Sequence, residues 1–161
     1  MMDQYLRMKQ SLPGDVWLFF RLGDFYEMFF EDAVECSAAL GLTLTKRQTI
    51  PMCGVPYHAA EGYIGQAVKM GKRIAIAEQM ATPVPGKLVP REITRIISAG
   101  GETSGAVTKG LGFDAYWMGE SVAPGVPIMV PVGHEEIRLI LKSGNFGQED
   151  FFGRALDMTK A

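Results

Sequence analysis

Apolar and polar positions follow two repeating patterns along the chain, and each pattern predicts a type of element. The unbroken apolar run Val16 to Phe20 is typical of a buried strand. Apolar residues at helical spacing, each series followed by glycine or Pro-Gly, predict helices that end at those residues. In the first hundred residues, the predicted helices cover 3–12, 31–40 and 59–70.

Shorter segments alternate apolar and polar residues with the period of a strand. Leu42–Thr45 and Ile50–Tyr57 form such a pair, and a hairpin is predicted between them at Gln48–Thr49. Further strands are predicted at 73–79, 93–97, 115–118, 128–132 and 137–141, with helices at 103–111 and 150–158 and a Pro-rich loop at 83–90. This order of elements predicts an α/β (α+β) fold with a mixed β-sheet flanked by helices.

The segment after the apolar run, Arg21 to Phe30, combines a glycine turn, aromatic rings and a carboxylate. Gly23 and Asp24 are expected to bend the chain at the end of the strand, which would present Phe25 and Glu27 near its rim. Side chains two residues apart on an extended backbone point the same way. One face would then carry a ring able to stack beside a hydrogen-bond acceptor, although the same pattern also fits an ordinary core segment.

Four motifs in this part of the chain occur in the order found in a known family. They are GDFYEMF at 23–29, LTKR at 44–47, PMCGVPYHA at 51–59 and RIAIAEQ at 73–79. With these motifs, residues 1–98 resemble the N-terminal mismatch-recognition domain of the MutS family of DNA mismatch repair proteins. The resemblance ends in the segment REITRIIS at 91–98, which corresponds to the last strand of that domain.

The resemblance implies a DNA-binding role for five residues. In MutS-like domains, the aromatic ring at the position of Phe25 enters the minor groove and stacks on a mispaired base, and the carboxylate at the position of Glu27 hydrogen-bonds that base. Unstacking costs less where pairing is already faulty, which makes this combination physically reasonable. Lys46 and Arg47 would contact backbone phosphates, or else form a solvated strand end, and Leu22 would pack beside the wedge.

The second part of the chain resembles a different family. The motifs GGETSGA at 100–106, APGVP at 123–127 and LKSGNFG at 141–147 resemble the carboxyl end of the nucleotide-binding domain of four-carbon acid sugar kinases. Residues 99–161 are therefore interpreted as a kinase-derived α/β fragment that completes the fold. Two unrelated resemblances that meet near residue 98 predict a chimera in one compact body, with deliberate construction or selection favoured over natural fusion.

The glycine-rich segment at the start of this fragment is the alternative candidate site. Glycines at a helix N-terminus let phosphate approach backbone N–H groups, although the same pattern also fits a plain helix start. The kinase resemblance implies ATP contacts at Gly100, Gly101, Glu102, Thr103 and Gly144, with Lys142 and Asn145 close by. ATP is then an optional ligand, and the sequence predicts no required cofactor.

The motifs predict no enzyme. The P-loop pattern of an ATPase, G-x-x-x-x-G-K-[ST], does not occur, and the sugar-binding part of a kinase is missing. No catalytic residue is assigned. Cys36 and Cys53 lack the spacing of metal ligands, so no metal site is predicted and reduced thiols are expected.

Charge limits the strength of any DNA binding. The net charge is −2, and the 11 Lys and Arg residues in 1–98 barely outnumber the 10 Asp and Glu residues there. Weak binding of mismatched duplex DNA is therefore expected. The chain contains neither an apolar run long enough to span a membrane nor a leader, which predicts a cytoplasmic protein. An exposed sheet edge would allow a homodimer, and a structural chimera without function is the remaining alternative.

Overall fold

The computed structural model describes residues 1–80, 89–99, 101–142 and 150–159 of the 161-residue chain. Its helices are α1 Met2–Gln10, α2 Phe30–Leu40, α3 Ala60–Lys69, α4 Gly101–Leu111 and α5 Phe151–Met158, with a short 3-10 helix at Tyr57–Ala59. Its strands are β1 Val16–Leu22, β2 Phe25–Phe29, β3 Thr45–Arg47, β4 Ile50–Pro56, β5 Arg73–Gln79, β6 Arg91–Ala99, β7 Tyr116–Ala123, β8 Val126–Pro131 and β9 Arg138–Lys142.

All nine strands of the described residues form one sheet in the order β3-β4-β2-β1-β5-β6-β9-β8-β7. Strand β1 pairs antiparallel with β2 and parallel with β5, and β6 pairs antiparallel with β5 and parallel with β9. The predicted fold class, a mixed sheet flanked by helices, is confirmed.

Alternate side chains of β1 fill the core on the two faces of the sheet. Trp17 and Phe19 belong to a cluster that includes residues of α2, α3 and α5, whereas Leu18 and Phe20 belong to a cluster with residues of α1 and α4. The run VWLFF is apolar throughout because both faces of this central strand are covered, as the unbroken pattern predicted.

The two parts of the chain meet in the middle of the sheet. Strand β6 lies beside β9 in a parallel register that runs from Arg95 opposite Arg138 to Ala99 opposite Lys142. Both core clusters take residues from before and after position 98, for example Ile97 and Ile140 in one cluster and Ile96 and Leu139 in the other. Residues 101–142 therefore extend the sheet and its core instead of forming a separate one.

Several predicted boundaries are wrong, and three of the differences concern the candidate sites. The alternation at Leu42–Thr45 does not form a strand, because Leu44 is exposed and pairing with β4 starts only at Thr45. The segment after Gly23 is not the bent end of β1 but a strand of its own, β2. Helix α4 begins at Gly101 instead of Thr103. The predicted loop at 83–90 lies mostly outside the described residues.

Other predictions are confirmed. The hairpin at Gln48–Thr49 connects β3 to β4, with Gln48 at a φ of +58°. Gly41 ends α2 in the left-handed conformation, with a φ of +66°. Among the described helices, none has the length and apolar composition that a membrane span needs.

Candidate functional site

The segment predicted to carry the site is a tight hairpin. Leu22 of β1 lies opposite Phe25 of β2, so Gly23 and Asp24 alone connect the strands. Gly23 has a φ of +58°, a conformation that hairpin turns need and that glycine adopts without steric cost. The Asp24 carbonyl accepts a hydrogen bond from the Tyr57 N–H at 2.9 Å, which ties the turn to the 3-10 helix.

Phe25 lies beside this turn with 46% of its surface exposed. Its partner on the other side of β2 is Pro56 of β4. Three residues farther along, Met28 is fully buried, and Phe29 after it is buried as well. Strand β2 therefore presents an aromatic ring at its exposed end, across the turn from Leu22.

Glu27 lies on the same face of β2 as Phe25, two residues along the strand. Its carboxylate oxygen Oε2 is 3.1 Å from the Arg47 guanidinium nitrogen Nη1, and its side chain is 15% exposed. Gly54 stands opposite Glu27 on β4. A Cβ atom at Gly54 would lie 3.2 Å from the Tyr26 carbonyl oxygen and 3.5 Å from Glu27 Cγ, so glycine leaves room for this side chain to cross β4.

Two opposing effects set the charge of Glu27. Burial raises the pKa of its carboxyl group because water no longer solvates the anion fully, and the Arg47 cation opposes that rise. Burial is the larger effect, and the pKa is raised. The acceptor is therefore partly desolvated and held in place by one cation.

The two basic residues predicted to contact phosphates differ in their surroundings. Lys46 and Arg47 are consecutive on the exposed edge strand β3, so their side chains point to opposite faces of the sheet. Arg47 shares the face of Glu27 and Phe25, since it lies opposite Ile50 in the hairpin and pairs with Glu27. Phe25, Glu27 and Arg47 are the predicted residues that share this face, with Leu22 across the turn.

Gly54 contributes to this site although the sequence pattern does not assign it there. The motif PMCGVP predicts only an extended segment at this position. A glycine inside a strand often marks the close approach of another group, and that signal could have identified it. The Met1 sulfur, 3.5 Å from Arg47 Nη1, carried no such signal because its proximity depends on the fold.

The described residues of the predicted nucleotide site lie just beyond the carboxyl end of β6. Gly101, Glu102 and Thr103 form the first turn of α4, directly after β6, while Gly100, Gly144 and Asn145 are outside the described residues. Cys36 and Cys53 are buried free thiols. Within the described residues, no group of three or more His, Cys, Asp or Glu side chains is arranged to hold a metal ion.

Comparison with known proteins decides the family. The model of MutS domain I matches residues 1–106. The chain belongs to the MutS domain I family. The match extends eight residues past position 98, through the start of α4.

Curated MutS proteins share about half of the aligned residues with this chain. The DNA mismatch repair protein MutS of Treponema denticola is 55% identical over 100 residues, which are 62% of this chain and 11% of that protein. The MutS protein of an Anaeromyxobacter species is 53% identical over 104 residues, or 62% of this chain and 12% of that protein. The chain thus spans about a tenth of the length of these MutS relatives.

Some solved structures have a partial likeness to this chain. A Haemophilus influenzae protein of the DUF1537 family is 51% identical over 42% of this chain and 16% of that chain, with a TM-score of 0.40. A TM-score of this size does not establish a shared fold. The sugar-kinase character of residues 99–161 stays a prediction.

Proposed function

We propose that this chain is a non-enzymatic, cytoplasmic protein that binds mismatched duplex DNA weakly and needs no cofactor. The observation that carries the proposal is the exposed ring of Phe25 at the end of β2, on one face with the half-buried carboxylate of Glu27. A large aromatic ring that is exposed at a hairpin tip can contact a binding partner, whereas a ring that packs in the core is buried.

The chemistry of Phe25 and Glu27 suits recognition of a mispaired base. Insertion of a side chain between base steps costs a few kcal/mol per step, and less at a mismatch, so Phe25 would enter where stacking is already weak. Glu27 repels phosphates and can only accept hydrogen bonds while ionised. Its contribution is therefore favourable at a base edge that donates a hydrogen bond.

The surface charge supports weak binding. Arg47 is an exposed cation on the face of Phe25, and its Nη1 is already engaged with Glu27, which leaves the other guanidinium N–H groups for a phosphate. Lys46 could reach a second phosphate from the edge of the sheet. Two such contacts predict a slope of about −2 for log K against log of salt concentration.

The chimeric origin of the chain is part of this proposal. The MutS domain I match covers residues 1–106, while motifs that resemble sugar kinases start at 100. A DNA-binding segment joined to a fragment that completes its sheet would keep the binding of mismatched DNA and lose the other activities of a MutS protein. The proposed binding is residual in that sense.

The test is a fluorescence-anisotropy titration of a labelled duplex with a G·T mismatch at low salt. We expect Phe25→Ala to weaken binding about tenfold, since stacking of an aromatic side chain on a base contributes about 1–3 kcal/mol. Leu44→Ala is the matched control, because Leu44 is exposed to the same degree, 47%, without belonging to the site. Equal loss in both variants, or none in Phe25→Ala, would refute the proposal and leave a structural chimera.

A second candidate function is nucleotide binding at Gly100–Thr103. The parallel pairing of β6 and β9 favours it, because α4 starts directly after β6, and ligands of α/β sheets bind beyond the carboxyl ends of neighbouring parallel strands. ATP would then raise the melting temperature of the wild type, and Gly101→Val would abolish that rise. A melting temperature that ATP leaves unchanged would exclude this function.

We also propose that a second copy of the chain is a binding partner, through the edge strand β7. Strand β7 is an edge of the sheet, and Trp117 and Met118 on it are each 63% exposed. An edge strand has unpaired N–H and C=O groups along one side, and two copies can satisfy them by antiparallel pairing.

A further inference from the structure

A cavity lies on the face of the sheet opposite to Phe25 and Glu27. It has a volume of about 420 Å³ and is lined by residues of β1, β2, β5 and β6, the 3-10 helix, α3 and α5. Tyr26 lines it, and the neighbours of Tyr26 in β2 point to the other face. The volume falls in the range of pockets that enclose small organic ligands.

One of the residues that line the cavity is an arginine that contacts two aromatic rings. The Arg21 guanidinium carbon is 3.9 Å from the centre of the Tyr57 ring and 5.5 Å from the centre of the Tyr26 ring. Arg21 Nε donates a hydrogen bond to the Gly23 carbonyl. No ion pair joins Arg21 to a carboxylate of the described residues. Stacking thus fixes a cation whose terminal N–H groups have no anionic partner there.

The other arginine of the cavity is already neutralised. Arg95 pairs with Glu78, and the Tyr26 hydroxyl donates a hydrogen bond to the same carboxylate. Two buried polar atoms beside this network, Thr94 Oγ1 and Arg95 Nε, lack a hydrogen-bond partner among the described residues. Unmet hydrogen-bonding capacity of buried groups is uncommon in folded proteins and often coincides with function.

The remaining wall of the cavity is apolar and comes from both parts of the chain. Ile64 of α3 and Ile76 of β5 line it from the MutS-like part of the chain, residues 1–98. Leu156 of α5 lines it from the second part, residues 99–161. All three side chains are buried. The cavity combines an apolar wall, two tyrosine rings and one cation that pairs with no carboxylate of the described residues, the arrangement expected of a small-molecule site.

We propose that this cavity binds a small aromatic carboxylate, with the carboxylate on Arg21 and the ring against Ile64, Ile76 and Leu156. A planar carboxylate matches the fork of guanidinium N–H donors. The ligand carries one negative charge, because Glu61 and Glu78 line the same cavity and would oppose a second. Since Leu156 lies in α5 and Thr159 directly follows that helix, the site needs residues that lie beyond the MutS domain I match.

The test compares two probes of the same shape, 2-naphthoate and the neutral 2-naphthamide, by amide NMR titration of the full chain. We expect saturable shifts for 2-naphthoate at the amides of Tyr57, His58 and Glu78. The amide should bind at least tenfold more weakly, since a charge-assisted hydrogen bond contributes about 1.5–3 kcal/mol. No saturable shift, shifts elsewhere on the chain, or equal affinity for both probes would overturn the proposal.

Two variants locate the binding chemistry. Arg21→Gln should weaken 2-naphthoate binding at least tenfold, and the matched control Arg7→Gln, at an exposed position of α1, should leave it unchanged. Leu156→Trp fills the cavity from α5 and should block both probes. Unchanged 2-naphthoate affinity in Arg21→Gln, or in folded Leu156→Trp, would refute the assignment.

The ligand site and the proposed DNA surface can be separated. Phe25→Ala should leave 2-naphthoate affinity unchanged, because the Phe25 side chain points to the other face of the sheet. Loss of 2-naphthoate binding in Phe25→Ala would show that the probe binds at the DNA surface and would overturn the cavity assignment.

Discussion

Gly54 shows how a residue without a side chain shapes the DNA surface. Glu27 reaches Arg47 across β4, and the path between them passes over Gly54. A side chain at this position would crowd the Tyr26 carbonyl oxygen, 3.2 Å from the Cβ position, and the Glu27 Cγ atom. The ion pair on this face therefore depends on a small residue in the strand between its two partners.

Gly54→Ala is expected to lower the free energy of unfolding by about 1 kcal/mol, because an added methyl group overpacks a well-filled strand. Urea denaturation measures the change. Gly62→Ala is the control, since a Cβ atom at Gly62 meets nothing within 4 Å and alanine favours the helix. The control should be neutral or stabilising, and a Gly54→Ala variant as stable as Gly62→Ala would contradict the packing argument.

Tyr26 predicts a pH dependence. Burial, followed by its hydrogen bond to Glu78, raises the pKa of the Tyr26 hydroxyl to about 12 from 10.0. A phenol whose pKa is higher in the folded state contributes stability that is complete below pH 10 and is lost as the pH rises towards 12.

Tyr26→Phe should therefore lose less stability than the wild type between pH 9 and pH 11, as measured by urea denaturation at each pH. Tyr63→Phe, which removes a hydroxyl group from a partly buried tyrosine of α3, is the matched control, and its profile should follow the wild type. Superimposable profiles of Tyr26→Phe and the wild type would refute this role of Tyr26.

At the scale of elements, the sequence predicted the strands whose pattern is set locally. The run VWLFF is buried on both faces and is apolar throughout, so its assignment required no knowledge of neighbours. Strand β2 was missed as a separate strand because Phe25–Phe29 is apolar on both sides of Glu27, and only pairing with β1 and β4 distinguishes it from a bend. The edge strand β3 is exposed throughout and has no apolar alternation to detect.

Prediction of the site was also limited to what neighbouring residues in the sequence reveal, because the pairing between strands could not be predicted. Phe25 and Glu27 could be identified from their spacing and from the family motif, since both lie on one short segment. The pairing of Glu27 with Arg47 could not be derived from spacing, because it depends on the order β3-β4-β2 in the sheet. The cavity was not predicted either, since its lining comes from seven elements spread along the chain from β1 to α5.

The exposed edge of β7 predicts self-association. Trp117→Lys adds a charge to this edge and should shift a dimer to monomer in sedimentation equilibrium at high protein concentration. Leu44→Lys, next to the opposite edge strand β3, is the control that should leave the dimer intact. A monomeric wild type, or dissociation by Leu44→Lys alone, would contradict pairing through β7.

At the scale of the whole molecule, the sheet and both core clusters cross position 98. Ile140 of β9 is fully buried in the cluster that contains Trp17 and Ile97 of the MutS-like part. A cluster shared in this way predicts that the two parts unfold together, as single domains of this size usually do.

Ile140→Ala tests this coupling. Loss of a buried isoleucine should cost about 2–5 kcal/mol of unfolding free energy. The denaturation midpoint should fall equally when followed by fluorescence of the Trp17 environment, in a Trp117→Phe background, and by circular dichroism. Val132→Ala, at a 47% exposed residue, should change little. A midpoint that falls for one signal only would mean that the two parts unfold separately.

The most direct test of the central claim is the ratio of dissociation constants for a matched duplex and the same duplex with one G·T mismatch, at low salt. If Phe25 and Glu27 recognise a mispaired base, the wild type should bind the mismatched duplex several-fold more tightly, and Phe25→Ala should bring the ratio close to one. A ratio of one in the wild type, or a preference that survives in Phe25→Ala, would contradict recognition of mismatches through β2.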